Sequence, residues 1–173
     1  MKNKVVVSTE NLKISIESTN NDSENKSKKV DYEISIKQMI SFVDIFKDIC
    51  ETVKYTDKEV EKLSKILNYN LGWKTLMLLT SIGSIKCKDF NVPDKDGLIK
   101  LTKEWRSTIA KDDEKDKFIV IESDNGDYTL VDENDVIYVY DHVKKETVCY
   151  NENVITHITK HIMSKIVGDE YKY

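Results

Sequence analysis

The chain has 173 residues, of which one is proline, five are glycine, three are cysteine and three are histidine. A single proline rules out a proline-rich linker protein. Five glycines, with no GxGxxG and no Walker-type loop, leave nothing to cradle a phosphate. GxSxG and HExxH are also missing, which removes two common hydrolase signatures. Cys50, Cys87 and Cys149 are scattered and contain no CxxC pair. They predict neither a disulfide framework nor a thiolate zinc site, and they fit a reducing cytoplasm. Arg106 is the sole arginine, so at most one guanidinium clamp is available to a phosphate or carboxylate ligand. No run approaches the roughly 18 apolar residues of a membrane span. The opening ten residues lack the apolar stretch of a secretory signal. A net charge of -4 argues against direct nucleic-acid binding.

What is present alternates between two periods. Leu12, Ile14 and Ile16, then Tyr32, Ile34 and Ile36, recur at every second residue. With the polar stretch 17–29 between them, they predict a hairpin over residues 4–36 with a loose tip. Met39, Phe42, Val43, Phe46 and Ile49 then make one helical face. Thr56-Asp-Lys-Glu59 is a capping box that opens a second helix. Residues 71–79, including Trp73, predict a buried third helix that stops at Gly83. A strand is expected over 85–92 and a helix over 97–110, with Trp105 on its apolar face. Strands follow at 118–122 and 128–132 around Asn125-Gly126, and at 136–140 and 146–150 around residues 141–145. Asn151 or Asn153 caps a closing helix striped with Val154, Ile155, Ile158 and Ile162. The expected fold is α+β: an antiparallel sheet of about five to six strands with helices mainly on one face. Residues 1–50 read as an extension packed on a 56–167 domain, with a short tail at 168–173.

Few residues invite chemistry. His157 and His161 share a helical face at a spacing that suits a metal ion, but two ligands do not make a site. The expectation is two polar residues on the flank of an amphipathic helix, with no metal and no cofactor. Cys87 and Cys149 are expected as buried small hydrophobes. A pocket uniting His157, His161 and Cys149 would instead favour a hydrolase. The clearest signal is charge. Residues 112–141 hold eleven acids against two lysines, a net of -9, in a chain whose total is -4. Asp112, Asp113, Glu114, Asp116, Glu122, Asp124, Asp127, Asp132, Glu133 and Asp135 are therefore candidate partner-binding residues. A field of one sign steers a basic protein partner.

Phe118-Ile-Val-Ile, Asn125-Gly-Asp-Tyr-Thr-Leu-Val-Asp132 and Val136-Ile-Tyr-Val-Tyr-Asp-His142 together resemble the SMI1/KNR4 (SUKH) strand pattern. Trp73-Lys-Thr-Leu-Met-Leu-Leu, Ser81-Ile-Gly83-Ser-Ile and Phe90-Asn-Val-Pro93 resemble its upstream helix, glycine turn and following segment. The likeness spans about residues 56–167, with Asn70-Leu71 in place of the usual Leu-Pro and Gly83 in place of a double glycine. The resemblance implies a cytoplasmic, non-catalytic immunity protein that neutralises a toxin, often a nuclease, by direct binding. Its partner would be a basic toxin domain. A viral or phage inhibitor, or a regulatory adaptor, on the same fold is the alternative.

Overall fold

The computed structural model describes residues 6–9, 12–15, 34–87 and 90–167. The chain divides into two units at Tyr32 and Glu33. In the first, β1 (Val6–Thr9) and β2 (Leu12–Ser15) pair antiparallel, with Thr9 opposite Leu12 and Val6 opposite Ser15. The hairpin thus closes within ten residues rather than across 4–36. The expected loose tip and Tyr32 lie outside the described residues.

The second unit opens with α1 (Ile36–Ile45), so Ile36 starts a helix instead of continuing a strand. Ser35 and Gln38 form a capping box: Gln38 N–H donates to Ser35 Oγ at 3.3 Å, and Ser35 N–H donates to Gln38 Oε1 at 2.8 Å. Met39, Phe42 and Val43 of α1 enter the same core as the later helices, so the compact unit starts well before residue 56. β3 (Cys50–Val53) has no apolar alternation and escapes pattern reading, because Cys50 alone of its four residues is buried. It pairs with β4 (Ser84–Cys87), which pairs with β5 (Phe90–Val92). The single strand expected over 85–92 is therefore two. α2 (Asp57–Leu67) opens on the Thr56–Glu59 capping box as expected. α3 (Trp73–Ser81) ends at Gly83, whose φ is +84°. A Cβ there would sit 1.8 Å from the Val53 carbonyl oxygen, so β3 can approach only a glycine.

α4 (Lys95–Thr108) leads into a four-stranded antiparallel sheet of β6 (Ile119–Asp124), β7 (Asp127–Val131), β8 (Val136–Asp141) and β9 (Glu146–Asn153). α5 (Val154–Val167) follows without a break. Asn125 and Gly126 both take positive φ, as the two-residue turn requires. Phe118, Val120, Tyr128 and Leu130 pack with Trp105 of α4. The alternate residues Ile119, Ile121, Val131 and Ile137 pack with Val154, Ile155, Ile158 and Ile162 of α5. Helices therefore lie against both faces of this sheet, and the strands divide into sheets of three and four. α4 closes the β6 edge: Val120 N–H donates to Thr102 Oγ1 at 3.0 Å, which satisfies an edge donor inside the core. Trp73 departs from expectation. It is 64% exposed, because it occupies the first position of α3, ahead of the buried Thr75, Leu78 and Leu79.

Two local arrangements hold the unit together. Cys50 and Cys87 face each other across β3 and β4 and are joined by a disulfide, both buried. The spacing of the cysteines predicts no disulfide framework, and this single bond removes the ground for inferring a reducing compartment. Cys149 is free and exposed rather than buried. The second arrangement is Asp135, placed by sequence reading on a binding surface but 3% exposed. Its carboxylate accepts from Lys74 N–H and Thr75 N–H at 2.8 Å and from Thr75 Oγ1 at 2.7 Å. It caps α3, whose own N-cap, Gly72, has no side chain to do so. A Cβ on Gly72 would lie 2.3 Å from Asp135 Oδ1, so the glycine makes room for the carboxylate. The Asp135 carbonyl also accepts from Val154 N–H at 3.0 Å, at the start of α5.

Asp135→Ala removes the partner of two buried donors and one half-buried donor, and should lower unfolding free energy by about 3 kcal/mol in urea titrations. Thiol titration of the unreduced, denatured protein should find one reactive cysteine, rising to three after reduction. Reduction should lower stability by up to about 4 kcal/mol, the chain-entropy value for closing a loop of this length.

Candidate functional site

The acidic run does not form one surface. In an antiparallel meander, successive turns lie at opposite ends of the strands. The five residues of β7 separate the 124–127 turn from the 132–135 turn by about 14 Å. Asp112, Asp113, Glu114, Asp116, Asp132 and Glu133 therefore gather at one end, because β6 begins where β7 ends. Glu122, Asp124 and Asp127 go to the other. Several are already engaged. Lys115 pairs with Asp112 at 2.7 Å and Lys117 with Asp113 at 3.5 Å. Glu114 accepts from Lys111 N–H at 3.2 Å. Asp127 holds His142, whose backbone N–H and Nδ1 lie 2.9 and 2.7 Å from Oδ1. Glu122 is buried against Thr129, which corrects its place on an exposed surface.

At the first end, Asp116, Asp132 and Glu133 rim a cleft of about 370 Å³ whose apolar wall includes Tyr69, Phe118 and Tyr138. The local sequence builds each part. Asn68 ends α2 in the left-handed conformation, turning Tyr69 inward. The Tyr69 hydroxyl donates to the Val131 carbonyl at 3.1 Å, with the Lys117 carbonyl at 3.3 Å. The rings of Phe118 and Tyr138 meet at a tilt of 55°, with 4.8 Å between their centres. Asp132 Oδ1 accepts from Asn134 N–H and Val136 N–H, which fixes the turn that presents Glu133. Arg106 lies close by, its Nη1 4.0 Å from Asp116 Oδ1, but its hydrogen bonds are committed to the fold. It donates to the Leu67 carbonyl at 2.6 Å and the Phe118 carbonyl at 3.2 Å, so it is no ligand clamp. Sequence reading found the rim of this cleft through its charge. It missed the aromatic wall, which comes from an interhelix loop and two nonadjacent strands.

At the opposite end is a cleft of about 190 Å³ lined by Glu122, Asp124, Thr129, Tyr150, His157 and His161, among others. His157 does not sit on a solvent flank, being 4% exposed, whereas His161 stays half-exposed. The first turns of α5 are buried all round, in part because Thr156 Oγ1 accepts from Ile34 N–H at 3.0 Å. A bulge between Val120 and Glu122 shifts the β6 register, so that Glu122 opposes Thr129. Thr129 Oγ1 donates to Glu122 Oε2 at 3.2 Å. Irregular pairing between Val136 and Tyr138 leaves extra residues in β9, where Asn151 takes positive φ. Glu152 emerges there with Oε2 3.4 Å from His157 Nδ1, and its other oxygen pairs with Lys160. Those hydrogen bonds, His157 first, hold the Glu152 carboxyl well below the usual range. Burial pushes the His157 imidazole below its ordinary range, against the pull of Glu152. Cys149 does not line this cleft, so the trio that would mark a hydrolase is not assembled.

No family model and no curated protein matches the chain.

Burial raises the phenol of Tyr69 well above its ordinary 10.0, helped by Asp132 and Glu133. Burial does the same for Tyr55, whose hydroxyl donates to the Pro93 carbonyl at 2.8 Å. Below pH 10 both phenols are neutral folded or unfolded, and their contribution is intact. Above it the unfolded chain ionises first, so stability should fall as pH rises beyond about 10. Absorbance titration should show Tyr55 and Tyr69 resisting ionisation until the fold is lost, and Tyr55→Phe with Tyr69→Phe should shrink that late-ionising fraction.

Proposed function

We propose that this chain is a non-catalytic binding protein that takes a basic side chain of a protein partner into the Asp116–Glu133 cleft. The observation that carries the reading is three carboxylates rimming an aromatic wall. Aromatic faces attract a cation electrostatically, and carboxylates complete its hydrogen bonds once water is displaced. Neither a phosphate nor a nucleic acid backbone suits such a site. The SUKH resemblance supplies the class of partner: a basic, nuclease-type toxin domain, blocked when its polyanion-binding surface is covered.

The double variant Asp116→Asn, Glu133→Gln keeps Asp132, which the turn needs. Native-host lysate should be passed over wild-type and variant protein, and captured proteins quantified by mass spectrometry. A partner with a basic domain should be depleted at least about tenfold on the variant, and its association should slow as salt rises. Identical capture on both proteins, or capture insensitive to salt, would remove this cleft from partner binding.

A further inference from the structure

We infer that Glu122, His157 and His161 form a binding site for one divalent transition-metal ion of the zinc class. Each offers a ligand atom, and the three atoms lie within 4.8 Å of one another. Glu122 Oε2 and His161 Nδ1 are already 3.4 Å apart, the separation that two ligands of a tetrahedral zinc show at about 2.1 Å from the ion. Modest side-chain rotation brings in the third.

The decisive atom is His157 Nε2. It is buried and has no hydrogen-bond partner among the described residues. A buried polar atom without a partner is destabilising unless something else satisfies it. The far side of the ring explains what that something is. Glu152 faces Nδ1 and fixes the proton there, so Nε2 carries a lone pair. A carboxylate behind an imidazole is the outer-shell arrangement that orients metal-bound histidines. Thr129 plays the equivalent part for Glu122 by donating to Oε2. The ring of His157 is further fixed by Tyr150, edge-on at 6.1 Å, and that of His161 by Phe90 at 5.9 Å. Two imidazoles and one carboxylate suit Zn²⁺ and its neighbours, whereas Ca²⁺ and Mg²⁺ need an oxygen shell. Three protein ligands leave a position open towards the cleft, where Asp124 and Asp127 stand. The site lies at the opposite end of the sheet from the proposed partner cleft, so neither reading rests on the other.

The test uses untagged full-length protein stripped with a chelator. Zn²⁺ should bind in a 1:1 ratio by calorimetry, and Co²⁺ should give the visible absorption of a four- or five-coordinate site. His161 is half-exposed, so His161→Ala should fold normally by circular dichroism, and it should weaken Zn²⁺ binding at least about 100-fold. Glu152→Gln touches no metal and should weaken it by about 10- to 100-fold. His142→Ala removes the third histidine, on the β8–β9 turn, and should leave binding unchanged. Absence of 1:1 binding by the wild type, unaltered affinity in folded His161→Ala, or equal loss in His142→Ala would each overturn the assignment.

Discussion

One buried carboxylate ties the larger unit together. Asp135 belongs to a turn between two strands, yet it supplies the cap for α3 with its side chain and receives the first amide of α5 with its carbonyl. The helix amides are otherwise orphan donors, and Gly72 offers no cap of its own. Three elements distant in sequence thereby meet at one residue. The geometry tolerates little else: the residue sits at φ 66°, where aspartate is accepted more readily than most, and the facing position has no room for a methyl group. With α3 and α5 so placed, their apolar faces share one core with α1 and the inner face of the sheet. The histidines of α5 are then set against β6.

Local chemistry was legible wherever its partners lie a few residues apart. The Thr56–Glu59 box, the Asn125-Gly126 turn and the stop at Gly83 depend on neighbours along the chain. The Ser35–Gln38 box carried the same kind of signal, but the alternation through Ile34 and Ile36 masked it. Features that depend on pairing between distant segments were not legible. β3 exists because β4 offers it a ladder, not because its residues alternate. Cys50 and Cys87 look unrelated until that ladder sets them opposite. Glu122 belongs by sequence to an acidic turn, and only a bulge gives it to the interior.

The charge signal shows the same limit. Composition locates eleven acids in one stretch but carries no information about which end of a meander each occupies. Among them the fold sets Asp116, Asp132 and Glu133 around an aromatic cleft, makes Asp135 a helix cap, and turns Glu122 towards His161. Residues of one type, adjacent in sequence, thus take three separate physical roles. The two clefts also differ in chemistry: one has oxygen rims over carbon rings, the other sets carboxylates beside imidazole nitrogens.

The irregularity in β9 has an effect beyond handing Glu152 to His157. β9 is the outer strand of its sheet, opposite the edge that α4 shields, and eight residues would make a long template for edge-to-edge aggregation. The surplus residues before α5 break the even spacing of its outward amides and carbonyls. An intruding strand can follow the regular ladder only over the 146–149 segment, which shortens the template it would pair with. The distortion that orients a histidine therefore also discourages fibrous stacking of one molecule upon the next.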